Sequence, residues 1–364
     1  MELLQRFKDP KLGQRILERL QQKISRPLNF MEVCGTHTVA ISRSGIRELL
    51  KGKLRLKSGP GCPVCVTDTG DIDKMIGLAR LPGVIVTTFG DMMRVPGSRS
   101  SLVQERANGD VRVVYSALDA VAIAEANPDK TVIFLGVGFE TTVPAVALCL
   151  EEVVRKNLKN FLLYSAHKVV PPALETLLQD PEVKIDGFLL PGHVCTILGR
   201  KTFEFLSQKY NVPAVIGGFE PVDILAALDA LVDMVAAGKA QVLNRYSRAV
   251  REEGNPLAQA IMQKYFDLVD VKWRGIGIIP RSGLKLKAEY ARYDAEEQYL
   301  LEESTVEAVP GCSCGEILKG KMEPPECPLF AYICTPLKPV GPCMVSSEGA
   351  CAAYYKYERR RSKN

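Results

Sequence analysis

Between residues 84 and 237, short apolar runs alternate with amphipathic segments. This rhythm limits what the chain can fold into more than any other feature. The runs are Val84-Ile85-Val86-Thr87-Thr88, Val111 to Tyr115, Thr131 to Leu135, Phe161 to Tyr164, Ile185 to Leu190 and Ala214 to Ile216. Helical patterns follow at 117–126, 143–154, 172–178, 203–209 and 221–237. Strands without polar alternation are buried on both faces, and strand–helix alternation places them in parallel sheets covered by helices. With an earlier run from Leu28 to Val33 there are about seven strands. That number predicts an α/β fold of two doubly wound, Rossmann-like units facing a cleft. The expected division is 1–127, 128–240 and an irregular, cysteine-rich unit over 241–364.

The flanks are less regular. Residues 1 to 25 read as a helix carrying Leu3, Leu4, Phe7, Ile16, Leu17 and Leu20, stopped by Pro27. A further helix is expected over Val39 to Leu50, one opening at Thr69, and one from Tyr246 to Val269. Trp273 to Pro280 and Arg281 to Leu286 read as irregular.

The formal charge of +5 arises mostly at the C-terminus. There, five basic residues between Lys356 and Lys363 against Glu358 supply +4, so the body is near neutral. This is not the basic face of a nucleic-acid binder. The N-terminal stretch lacks the apolar core of a signal peptide, and no apolar run is long enough to span a membrane. A cytoplasmic protein is expected, whose eleven cysteines are not structural disulfides.

In doubly wound sheets ligands bind at the carboxyl ends of strands. The unusual residues cluster there: Cys34-Gly-Thr-His37, Phe89-Gly90-Asp91, Gly136 to Thr142, Ser165-Ala166-His167, Pro191-Gly192-His193 and Gly217 to Glu220. The triplet Gly-Phe-Glu occurs at 138–140 and again at 218–220, consistent with two similar halves. Glu140 and His193 are candidate proton donors or ligand-orienting groups. Gly136-Val-Gly138 is only a fragment of a dinucleotide fingerprint, because Thr141 stands in the third glycine position.

Cys62-Pro-Val-Cys65 lies in a loop stiffened by Pro60 and Pro63 and precedes a helix start. Thiolates near a helix start have lowered pKa values, which suits redox exchange and soft-metal binding alike. Cys34 and His37 supply a third thiol and an imidazole at another strand end. Six cysteines follow Gly311, namely Cys312, Cys314, Cys327, Cys334, Cys343 and Cys351, with intervening gaps of 1, 12, 6, 8 and 7 residues. This is neither the compact ferredoxin run nor paired C-x2-C zinc spacing. Residues 310–351 hold seven prolines and few apolar side chains, so the region needs a staple. An iron–sulfur cluster with two thiols left over and a zinc site with two spare thiols both fit.

Met31-Glu-Val-Cys34-Gly-Thr-His37-Thr, Gly59-Pro-Gly-Cys62-Pro-Val-Cys65, Gly138-Phe-Glu-Thr-Thr142, Leu190-Pro-Gly-His193-Val and Met344-Val-Ser-Ser-Glu-Gly-Ala-Cys351-Ala-Ala occur in this order. Together they resemble the HypD family of [NiFe]-hydrogenase maturation proteins. The resemblance implies a scaffold that, with a HypC-type small chaperone, holds one iron while cyanide and carbon monoxide ligands are attached. Cyanide would arrive from a HypE-type donor. It places Cys34, Cys62 and Cys65 at the iron-assembly cleft, with His37, Glu140 and His193 around it. It also implies a [4Fe–4S] cluster, assigned here to Cys314, Cys327, Cys334 and Cys351, with Cys312 and Cys343 as an adjacent redox dithiol. The competing expectation is an iron–sulfur-dependent thiol–disulfide oxidoreductase, which leaves Cys34, His37 and the strand-end Glu and His residues without a task.

Overall fold

The computed structural model describes residues 9–301 and 311–359. Leu3, Leu4 and Phe7 of the expected first helix, and most of the basic tail, lie outside the described residues. The helix itself runs Pro10–Lys23, capped by the Asp9 side chain with proline at its first position.

Nine parallel strands form two sheets. The first has the order β2-β1-β7-β8-β9, with β1 Leu28–Glu32, β2 Leu54–Ser58, β7 Gly187–Pro191, β8 Ala214–Gly217 and β9 Val242–Asn244. The second has the order β4-β3-β5-β6, with β3 Val84–Thr88, β4 Asp110–Val113, β5 Thr131–Gly136 and β6 Phe161–Ser165. The doubly wound architecture follows from the buried runs: all five residues of β3 and of β7 are buried.

The division into consecutive units at residues 127 and 128 does not follow the sheets. The chain lays down β1 and β2, crosses to build the whole second sheet, and returns for β7 to β9. β1 pairs with β2 on one side and with β7 on the other. The reason is burial: four of the five β1 residues are buried, so its backbone N–H and C=O groups are shut off from water and must pair along both edges. Closing so long an excursion costs little, since loop entropy grows only logarithmically with length.

Other elements also depart from the sequence reading. β2 carries alternating Leu54, Arg55, Leu56 and Lys57, the pattern of a half-exposed edge strand. The helix after Cys34 starts at once, spanning Gly35–Ser44. Only Pro256–Tyr265 of the expected 246–269 helix is helical. It runs directly into an antiparallel hairpin of β10 Phe266–Trp273 and β11 Gly277–Leu286, where irregular chain was expected. The cysteine-rich segment is irregular as expected, with short helices at Cys314–Leu318, Pro342–Val345 and Ala350–Ala353.

One large apolar cluster takes in inner faces of both sheets together with Cys62, Cys65, Cys314, Cys343 and Cys351. Among the described residues, no helix is long and apolar enough to cross a membrane.

Candidate functional site

In each sheet the strand order reverses once, between β1 and β7 and between β3 and β5. Crevices form at such switch points. The singled-out residues stand there: Cys34 follows β1, His193 follows β7, and Glu140 follows β5. The two Gly-Phe-Glu triplets follow β5 and β8, one on each sheet.

Cys34 caps the Gly35–Ser44 helix and is 8% exposed. Burial pushes its thiol up to about 12, against the pull of the His37 and Thr36 N–H groups. The Cys62 loop lies directly on it. The Gly35 N–H donates to the Gly61 carbonyl at 3.0 Å, and a Cβ on Gly61 would stand 2.2 Å from the Cys34 nitrogen. Cys62 and Cys65 are joined as a disulfide across the Pro63–Val66 turn. From the other side comes the Met344–Cys351 motif. Thr36 Oγ1 donates to Glu348 Oε1 at 2.9 Å, and a Cβ on Gly35 would fall 2.4 Å from the Glu348 Cβ.

Glu32, at the end of β1, is buried behind Cys34. It accepts from the Cys34 N–H at 3.2 Å and from Thr38 Oγ1 at 2.5 Å, and burial raises its carboxyl to about 7. His37 is fully buried. Its Nε2 donates to the Gly218 carbonyl at 2.9 Å, its Nδ1 has no partner, and burial lowers its pKa to about 4, so the ring is neutral. Phe219 lies between His37 and His193, with ring centroids 4.6 and 4.0 Å away. His193 is on the exposed side of this stack and burial lowers its pKa.

Glu140 is fully buried. Oε1 accepts the Val170 N–H at 2.8 Å and Oε2 has no partner. Burial raises its pKa to about 7, so near neutrality it can hold or release a proton. Cys195 is fully buried, and burial pushes its thiol up, reinforced by the charges of Glu140 and Cys34. It lies within electrostatic reach of Glu140, which follows β5, and of Cys34, which follows β1. Gly136 and Gly138 are not an open phosphate cradle: added Cβ atoms would strike His167 and Thr142.

The six C-terminal cysteines are free of disulfides, and all but Cys312 are buried. They gather in one place. Contact with Cys314 pushes the Cys312 thiol up, while Cys314 also touches Cys343. Cys351 lies in the field of Cys314, Cys312, Cys334 and Cys327. Cys343 thus meets Cys314 directly, whereas its relation to Cys312 is at longer range. Among the described residues, no three ligand-type side chains converge as around a single ion. The donor set is sulfur alone, and such a set suits iron–sulfur clusters. The Pro342–Val345 helix carrying Cys343 packs against the Pro63–Val66 turn carrying Cys65.

Residues 11–358 match the family model HypD, described as the hydrogenase formation hypA family. The chain belongs to the HypD family. It is 45% identical to the hydrogenase maturation factor HypD of Cupriavidus necator, over 99% of this chain and 98% of that one. It is 41% identical to the hydrogenase maturation factor HypD of Escherichia coli over the whole of both chains. A putative hydrogenase expression/formation protein of Methanocaldococcus jannaschii is 44% identical, over 94% of this chain and 95% of that one.

For this HypD chain the structure brings Cys34, Cys62 and Cys65 together with Glu348 and places His37 and His193 on either side of Phe219. Sequence reasoning missed Glu32, Glu348 and the reach of Cys195. The first two had a signal, since each is an acidic residue inside a quoted motif, Glu32 in a run that becomes a buried strand. Cys195 had none beyond its nearness to His193.

Proposed function

We propose that this hydrogenase maturation factor is a scaffold on which one iron, held as cargo, receives cyanide and carbon monoxide. A HypC-type small chaperone would share the iron, and a HypE-type protein would bring cyanide. The carrying observation is the meeting of Cys34, the Cys62–Cys65 turn and the Met344–Cys351 motif at one switch point. Soft thiolates suit low-spin iron. Cys34 must lose its proton to bind iron, and Glu140, poised near 7 at the switch point of the second sheet, is suited to hold a proton. His37, fixed by Gly218, presents a neutral ring with Nδ1 unpaired.

The C-terminal thiols fit a [4Fe–4S] cluster by donor type. When bound it would supply single electrons. Cys314 touches both Cys312 and Cys343, so contact alone does not choose a flanking pair. The proposed ligands are those carried by resemblance, Cys314, Cys327, Cys334 and Cys351, with Cys312 and Cys343 beside them. The C-terminal thiols are free while Cys62 and Cys65 are joined, and the helix carrying Cys343 touches the turn carrying Cys65, which supports thiol–disulfide exchange between the two sets.

The alternative, a reductase acting on partner disulfides, fits less well, because Cys62 and Cys65 are 4% and 0% exposed. Infrared spectroscopy of the chain purified with its small chaperone tests the scaffold reading. Metal-bound cyanide and carbon monoxide stretches are expected. Their absence from an active complex would favour the reductase.

A further inference from the structure

We propose that Arg94 is a binding residue for the iron cargo, giving N–H groups to the nitrogen ends of its cyanide ligands in the cavity beside Cys34. The proposal rests on the scaffold reading given above. It concerns a residue that none of the motifs contains.

A cavity of about 950 Å³ opens where the segments around Cys34 converge. Thr36, in the first turn of the helix that Cys34 caps, lines one part of it. Met344 and Val345, on the short helix that packs against the Cys62–Cys65 turn, line another. Glu348 is held in the wall by the Thr36 hydroxyl. Arg94 comes from the second sheet, following β3 through the Gly90–Met92 turn. The cavity therefore brings together residues that follow strands at the switch points of both sheets.

Local packing leaves Arg94 facing this space. Met93 and Val95 on either side of it are buried, which holds the backbone in place, while the Arg94 side chain stays exposed. Its Nη1 donates to the Pro336 carbonyl at 3.4 Å, a long bond that uses one of the five guanidinium N–H groups. Among the described residues no carboxylate forms an ion pair with it. The other cations of the lining are engaged otherwise: Lys356 and Arg359 lie over the rings of Tyr357 and Tyr355, at 5.2 and 4.7 Å. Glu348 is the one acidic side chain of the lining among the described residues, so the cavity favours an anion.

The charge of the cargo changes as it is built. Bare ferrous iron is a cation, which an arginine repels. Cyanide ligands cancel that charge, and each thiolate ligand then adds a negative one. The loaded group is an anion whose cyanide nitrogens accept hydrogen bonds. Taking an anion out of water is costly unless donors replace its hydration. A guanidinium supplies a planar fork of donors, and such charge-assisted bonds are short and strong. Arg94 thus favours loaded iron over bare iron, and the cleft tightens on the cargo once its ligands have arrived.

The test uses the full chain purified with its small chaperone. The infrared intensity of metal-bound cyanide per chain reports loaded iron. Chelator competition on the cluster-replete chain reports bare ferrous iron. Arg94→Met is expected to lower the cyanide intensity about tenfold, the effect of losing one charge-assisted hydrogen bond. Its affinity for bare iron should stay within about twofold of the wild type, because no thiolate is removed. Arg94→Lys keeps a charged donor in a different geometry, so its cyanide stretches should persist at displaced frequencies. Undiminished cyanide intensity in Arg94→Met would overturn the role of Arg94. So would an equal loss of bare-iron affinity, since Arg94 would then only shape the cleft. If methionine disrupts the fold, the lysine variant decides alone, and cyanide stretches at wild-type frequencies would refute the contact. No cyanide stretches in the wild type would instead overturn the scaffold reading on which the proposal rests.

Discussion

Glu140→Gln should make the protein more stable at pH 8 while impairing its function. Glu140 is fully buried, forms no ion pair with the described residues, and leaves Oε2 without a partner. Burial moves its carboxyl from 4.5 to about 7. Because the folded value is raised, the stabilising contribution of the protonated acid is fully present below about 4.5 and is lost as pH rises through about 7. A shift of this size corresponds to ~3 kcal/mol between the two ends of that window. Glutamine does not ionise, so its carbonyl can keep the Val170 contact without this loss. It leaves an amide where Oε2 had no acceptor, a cost of about 1–3 kcal/mol that is independent of pH. The assay is urea unfolding of wild type and variant at pH 5 and pH 8, comparing the difference of differences. Glu32, His37 and His167 titrate alike in both proteins and cancel. Between pH 5 and pH 8, which spans most of that window, the variant should lose ~2.5 kcal/mol less than wild type. Identical pH dependence would show that Glu140 ionises as an ordinary carboxylate, and its poise as a proton holder would fall.

Two further outcomes follow from the site. Gly35→Ala forces a Cβ to within 2.4 Å of the Glu348 Cβ, so the Met344–Cys351 segment must shift. A loss of roughly 1–3 kcal/mol is expected from thermal unfolding, with loss of hydrogenase maturation in a complementation assay. Iron binding through Cys34 must displace a proton from a thiol held up at about 12. Apparent iron affinity at the cleft, measured by chelator competition in a cluster-replete chain, should rise about tenfold per pH unit in the neutral range. A flat profile would remove Cys34 as a ligand.

The sheets were legible because β1, β3, β5 and β7 are uninterrupted apolar runs, and burial on both faces requires that. Their strand ends were legible for the same reason, so the sequence alone puts Cys34, Glu140 and His193 at crevices. Sheet membership was not legible. Nothing local in Leu28–Glu32 says that its second neighbour is Gly187–Pro191, because the pairing depends on which apolar edges remain to be covered after the second sheet closes. β2 and the β10–β11 hairpin were missed since half-exposed strands mix charge with apolar residues, as in Leu54-Arg55-Leu56-Lys57. The cysteine spacing predicted a gathered set of thiols but not that Cys343 meets Cys314, a contact created by proline-rich turns without periodicity.

The claim that most needs testing is that the iron cargo is held at the Cys34 cleft and not by the C-terminal thiols. The direct measurement is the infrared spectrum of the chain purified with its small chaperone, for Cys34→Ala beside Cys149→Ala. Cys149 is a fully buried thiol that donates to the Ala117 carbonyl at 3.3 Å, away from the cleft. The account predicts that metal-bound cyanide and carbon monoxide stretches persist in Cys149→Ala and vanish in Cys34→Ala. Undiminished stretches in Cys34→Ala would contradict it.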